Sequence, residues 1–276
     1  MSSLMPSLRY SPQPGGLLYH YCPPAALHAI LLHRSIRHTS LRCMNDSKEL
    51  SWALDVVQEM LESGGNEPAV TEVLMTLMKR QMADVAVLSS CFSTEADKLS
   101  QWRAYADNGA GFCIGFGAQG VFDLPGATVE VCYDKVIQRT HLHAGLSKIF
   151  TFADEKDEES LHELIFERCA YLIFEFAGLK NPAFSEEGEV RKVYPIALVN
   201  ESGSPRYTTD VGKIQFYMRG STPVPYLDLA FPKESQPVKE IWIGPRAGVC
   251  ESEIAAFVGT LGYEDVKVRT SVASYR

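Results

Sequence analysis

Hydrophobic and polar positions along this 276-residue chain switch repeatedly between a period of two and a helical period. Residues 17–22 (Leu-Leu-Tyr-His-Tyr-Cys) read as a short strand closed by Pro23 and Pro24. Leu27, Ile30 and Leu31 then recur at helical spacing over 25–33, with proline tolerated in the first turn. Residues 35–41 alternate as a second strand. Amphipathic patterns predict helices over 50–61 and 70–82, separated by Gly64-Gly65-Asn66. Asp46 and Glu49 stand at capping-box spacing ahead of the first of these. The near-continuous apolar run 85–92 predicts a buried strand. Leu99, Trp102, Tyr105 and Ala106 return to helical spacing, which puts Trp102 and Tyr105 on one face. Asp107-Asn108-Gly109 turns the chain into a glycine-punctuated strand at 111–116, and 129–133 reads as another.

In the second half, 158–179 predicts the longest helix, apolar on two faces and ended by Gly178 and Pro182. A strand at 187–196 is followed by a polar loop at 200–209, then strands at 214–218, 226–229 and 238–243. A Gly244-Pro245 turn, a helix over 251–261 and a strand over 266–270 close the chain. Residues 1–16, rich in Ser, Pro and Gly, read as a flexible tail, and 17–276 as a single domain. Strands that are not regularly spaced by helices predict an α+β fold, a mixed or split antiparallel sheet with flanking helices, rather than a doubly wound sheet.

Composition narrows the function classes. Apolar residues make up 46% and charged residues 22%, as in an ordinary globular protein. A formal net charge of −8 works against non-specific attraction to nucleic acid or to an anionic membrane surface. Arg34, Arg37, His38 and Arg42 form one short cationic stretch, which reads as a solvated face. The seven cysteines are odd in number, without a C-x-x-C pair, and six of them neighbour apolar or aromatic residues. That pattern implies free, mostly buried thiols in a reducing cytoplasm. No window approaches the roughly 18 apolar residues of a membrane span, so no membrane association is expected.

Several chemistries lack their motifs. There is no phosphate-binding G-x-x-x-x-G-K-[ST] loop and no G-x-S-x-G elbow. His141 and His143 would share a face if extended, but no third ligand completes a metal site, and none is expected. Polar and aromatic residues inside otherwise apolar strands remain: Tyr19, His20 and Tyr21; Ser90 and Ser93; Trp102 and Tyr105; Glu187, Glu189 and Arg191. On a strand the last three share one face. Two close carboxylates there suit acid–base work or stabilisation of a cationic transition state. A solvent-facing edge strand with alternating charge gives the same pattern. Several such groups on separate strands suggest convergence on one cleft.

Two resemblances follow from these residues. Tyr19-His20-Tyr21, Asn45-Asp46-x-x-Glu49, Cys91-Phe92-Ser93, Trp102-x-x-Tyr105-Ala106, the Gly111–Phe116 segment and Phe184-x-x-Glu187-x-Glu189-x-Arg191 resemble the successive blocks of a widespread bacterial family of unassigned function. The order of a first-strand His, a Ser-bearing strand and a Glu-x-Glu strand is also similar to the NAD-dependent ADP-ribosyltransferases. That likeness implies an ADP-ribosyltransferase-like core that cleaves the nicotinamide–ribose bond of NAD. ADP-ribose would pass to a protein or nucleic-acid acceptor, as in a toxin or phage-defence effector. It further implies that His20 holds ADP-ribose, Ser93 braces the first strand, Glu189 is catalytic and Glu187 orients the acceptor. Trp102 or Tyr105 would stack on a ring, with Tyr19 and Arg191 beside the cofactor. Glu189→Gln is then expected to stop nicotinamide release and leave the fold intact. Arg191, where that superfamily usually has an apolar residue, and Trp102-x-x-Tyr105 depart from its pattern. A non-catalytic nucleotide- or partner-binding sensor, and a metal-dependent hydrolase or nuclease using Glu187 and Glu189, for which no further ligand is evident, are the rival expectations.

Overall fold

In the computed structural model, which describes residues 8–44, 49–64, 68–151, 172, 175–201, 203–232 and 234–275, the strands join one sheet. They are β1 (Leu17–Cys22), β2 (Ser35–Ser40), β3 (Val85–Ser93), β4 (Phe112–Gly117), β5 (Ala127–Glu130), β6 (Glu189–Glu201), β7 (Ser204–Thr208), β8 (Gln215–Arg219), β9 (Thr222–Ala230), β10 (Val238–Ile243) and β11 (Lys267–Thr270). The order is β11-β10-β4-β1-β3-β2-β9-β8, with β6 on β3 and with β5 and β7 on β6. Among the described strands, only the β10–β11 pair runs parallel. The fold is α+β with a mixed, largely antiparallel open sheet.

The register of β3 divides the sheet. One edge of β3 pairs with β6 along its whole length, from Val85↔Ala197 to Ser93↔Glu189. The other edge is shared: Leu88 and Ser89 pair with Ser40 and Thr39 of β2, and Ser93 pairs with Tyr19 of β1. Between those pairings Ser90, Cys91 and Phe92 have no strand opposite, which leaves a notch between two half-sheets.

Alternation assigns the two faces of the sheet. On one face Leu18, Ile36, Leu88, Phe92, Ile114 and Ile241 form the main core, packed with Leu27 and Leu31 of α1 (Pro24–His33). Its other cover is Ile254 and Val258 of α7 (Glu251–Thr260). On the opposite face Val87 and Val193 pack under a second core. That core draws on α2 (Glu49–Ser63), α3 (Pro68–Asp84) and α6 (Lys135–Thr151), through Val57, Met78 and Leu142. On the same face, further along, Tyr21 and Cys113 pack with Trp102 and Ala106 at α4 (Leu99–Tyr105). Between these two clusters the second face is open and polar.

Four sequence expectations change. The polar segment 200–209 is a hairpin, because β6 continues to Glu201 and β7 returns along it. Two helices, α5 (Ala118–Phe122) and α6, were not predicted; α6 has no clean apolar stripe to announce it. His141 and His143 therefore lie on a helix, where residues two apart point to different sides. The tail is tied down at its end: Leu8 is buried, and the Tyr10 amide donates to Thr128 O at 3.1 Å. Asp46 of the capping pair and most of the helix predicted over 158–179 lie outside the described residues. Among the described residues no helix is long and apolar enough to cross a membrane.

Gly111 shows how tightly β4 is seated against its neighbours. A Cβ there would meet Cys22 O at 2.4 Å and the Ala106 carbonyl carbon at 2.9 Å, both backbone atoms that cannot swing aside. Gly111→Ala is expected to destabilise the fold by about 1–3 kcal/mol, read as a lowered urea midpoint at unchanged slope.

Candidate functional site

A cavity of about 350 Å³ opens on the polar face at the divided edge of β3. This is within the range of small-ligand sites. Its floor is built from the segment that joins the end of the partly described helix to β6. Asn181 caps a 3₁₀ turn (Pro182–Glu187) by accepting from the Ala183 amide at 3.0 Å. Gly188 then takes φ +51°, the left-handed region that favours glycine. Glu187 thus ends the turn and Glu189 starts the strand, and both carboxylates reach one ammonium group. Lys180 Nζ donates to Glu187 Oε2 at 2.5 Å and to Glu189 Oε2 at 3.0 Å.

Arg191 completes the network. Its Nε and Nη2 donate to the two oxygens of Glu189 at 2.8 and 2.9 Å, and its Nη1 donates to Ala177 O at 2.8 Å. Burial on its own would raise the Glu189 pKa; the Arg191 guanidinium and the Lys180 ammonium outweigh it and bring it down to about 2. The solvated edge that alternating charge also suggested is ruled out, since β6 is flanked by β3 on one side and by β5 and β7 on the other. Tyr105, on α4, donates its hydroxyl to Glu187 Oε1 at 2.8 Å. Burial, then the Glu187 charge, raises its pKa, so the phenol stays a donor.

His20 fills the notch. Its Nδ1 contacts Cys91 O at 2.8 Å, and since a carbonyl only accepts, Nδ1 carries the proton and Nε2 is an acceptor. Burial lowers the His20 pKa, offset in part by that carbonyl, so the ring is neutral. Tyr19 also lines the cavity but donates its hydroxyl to Glu240 at 3.0 Å. Ser93 lines the cavity too, and its hydroxyl donates to Glu187 O at 2.9 Å. It therefore braces the carboxylate turn, not the first strand.

The structure brings His20, Ser93, Tyr19, Tyr105, Glu187 and Glu189 to one cavity. Two other candidates stand apart from it. Trp102 is fully buried in the small α4 cluster with its Nε1 donating to Asp97 at 2.7 Å, so it stacks on no ligand ring. Helical spacing alone placed it with Tyr105, but the short helix turns Trp102 inward and Tyr105 toward the cavity. Arg191 is fully buried behind Glu189 and touches the cavity only through that carboxylate.

Sequence reasoning missed several lining residues. Lys180 is a single lysine at the end of an apolar helix pattern, with nothing nearby to mark its partners. Arg37 and Arg219 form the rim beside Tyr217. Arg37 is held by Asp228 through a fork at 2.9 and 3.2 Å and stacks 3.7 Å from the Tyr226 ring centre. His38, grouped with it as a solvated stretch, is instead wholly buried, and burial lowers its pKa to about 4. Cys43 and Cys91, expected to be buried, line the cavity. Gln101 lines it as well, on the same face of α4 as Tyr105.

Residues 101–192 match the family model DUF2971, described as a protein of unknown function. The DUF2971 match covers about a third of the chain and carries Gln101, Tyr105, Lys180, Glu187, Glu189 and Arg191. Over that stretch it agrees with the bacterial family of unassigned function that the sequence blocks resemble. No curated protein and no solved structure matches the chain.

The network changes what Glu189→Gln does. Removing that charge takes from the buried Arg191 the carboxylate that accepts from its Nε and Nη2, and breaking a buried pair typically costs about 3–5 kcal/mol, so the fold is not expected to stay intact. The Glu189 pKa is lower in the folded chain than unfolded, so its stabilisation is present above about 4.5 and is lost as pH falls toward about 2. Urea midpoints measured from pH 6 down to pH 3 should fall for the natural chain. The part of that fall due to Glu189 should vanish in Glu189→Gln/Arg191→Met.

Proposed function

We propose that this cavity binds NAD and that the chain is an ADP-ribosyltransferase-like enzyme, cleaving the nicotinamide–ribose bond and passing ADP-ribose to an acceptor. The observation that carries the proposal is the meeting of His20, Ser93, Glu187 and Glu189, from three distant parts of the chain, around one cavity at the divided edge of β3. Loss of nicotinamide develops positive charge on the ribose, and a fixed carboxylate beside it lowers the barrier. Both oxygens of Glu189 are held by Arg191, and Lys180 shares one of them. Glu187 is shared between Tyr105 and Lys180 and is the more exposed of the pair. In this proposal Glu187 faces the developing cation, and Glu189 holds Lys180 and Arg191 in place. Neutral His20 offers Nε2 as an acceptor to a ribose hydroxyl.

The saturation of Glu189 favours a second reading, in which the cavity binds a nucleotide without turnover. The two differ in one measurement. NAD in large excess over its dissociation constant stabilises a binding protein by about 2–4 kcal/mol in either case, but only the enzyme releases nicotinamide. Glu187→Gln should keep the NAD-induced rise in melting temperature and lower nicotinamide release by about 100-fold or more. Stabilisation with no nicotinamide from the natural chain would select the binding reading, and absence of both would remove NAD altogether.

A further inference from the structure

Most polar groups around the carboxylates of the cavity floor are hydrogen-bonded. Tyr105 and Lys180 are bonded to Glu187, Ser93 to the Glu187 carbonyl, and Tyr19 to Glu240. Gln101 is only 6% exposed, lines the same cavity, and its amide makes no hydrogen bond among the described residues. The amide atoms themselves reach the solvent of the cavity, where a ligand can replace water. Its carbonyl accepts and its NH₂ donates, side by side in one plane.

We propose that Gln101 reads the carboxamide of nicotinamide and makes this site selective for the amide over the acid. This deepens the NAD reading above and rests on it. Two primary amides pair through two hydrogen bonds, each giving an N–H and taking a C=O. A carboxylate gives nothing, so its second oxygen would face the glutamine oxygen with no proton between them. Sites that hydrogen-bond a substrate group discriminate strongly against analogues that leave their polar atoms unpaired. The placement agrees with the chemistry. Gln101 and Tyr105 are four residues apart, hence on one face of α4. One turn of helix thus carries the amide that would hold the leaving group and the phenol that holds Glu187.

The test compares NAD with nicotinic acid adenine dinucleotide, which differs only in that group. The natural chain should favour NAD by at least about 100-fold in kcat/KM for base release. Gln101→Leu should bring that preference below about tenfold without lowering the melting temperature, and it should leave binding of ADP-ribose, which lacks the ring, unchanged. Turnover with the preference intact in Gln101→Leu overturns the assignment. So does a parallel loss of ADP-ribose binding, which would place Gln101 at the adenine edge instead. Ligand-observed NMR with free nicotinamide and free nicotinate separates this assignment from the NAD reading. Amide-only binding that disappears in Gln101→Leu supports it even if neither dinucleotide is cleaved, and equal or absent binding of the two overturns it.

Discussion

Lys180 is the hinge of the structure's polar half. Two carboxylates, Glu187 and Glu189, reach its ammonium at 2.5 and 3.0 Å, in a place where the lysine side chain is only 4% exposed. Either carboxylate alone would be a costly buried charge, and the two together would repel. The ammonium makes their approach possible, and Arg191 balances the second negative charge. Among the described residues lining the floor, two cations face two anions, and they hold one another's geometry. The left-handed Gly188 turn, the Ser93 brace and the Tyr105 hydroxyl all act on the same few atoms.

The notch in the sheet supplies the space. Had β1 or β2 continued along β3, Cys91 O would have been satisfied by a backbone amide and the edge closed. Instead the two half-sheets leave Ser90, Cys91 and Phe92 without a strand on the edge away from β6, and the His20 imidazole donates to that carbonyl. A buried carbonyl needs a donor. Histidine meets the need and keeps its second nitrogen as an acceptor. The same substitution of side chain for strand explains why a polar ring is tolerated in an apolar strand beside Phe92, 5.8 Å away.

Much of this fold was legible because its strands obey alternation. Residues 17–22 and 238–243 form β1 and β10 with the expected bounds, and β3 extends the expected run 85–92 by Ser93 alone. The convergence of Tyr19, His20, Ser93 and Glu187 was also legible, since each is a polar or aromatic residue out of place in its surroundings. What was hidden depends on three-dimensional partners. Lys180 is an ordinary residue in sequence, and its importance lies in the two carboxylates opposite it. Trp102 misled for a related reason. Helical spacing sets which residues share a face, but not how far round a two-turn helix the buried side extends. Arg191 was read as a cofactor contact because a strand puts it on the face of Glu189. It is on that face, yet its guanidinium folds back to the carboxylate two residues before it and closes itself off.

The charge pattern of the cavity gives a direction to any ligand that enters. The floor near α4 is neutral in sum, while the rim near β8 carries Arg219 and the Asp228-tethered Arg37. The charge along the cavity runs from cationic to neutral, against a chain whose net charge is −8. Local cationic groups on an otherwise acidic surface draw an anion to one place and repel it elsewhere.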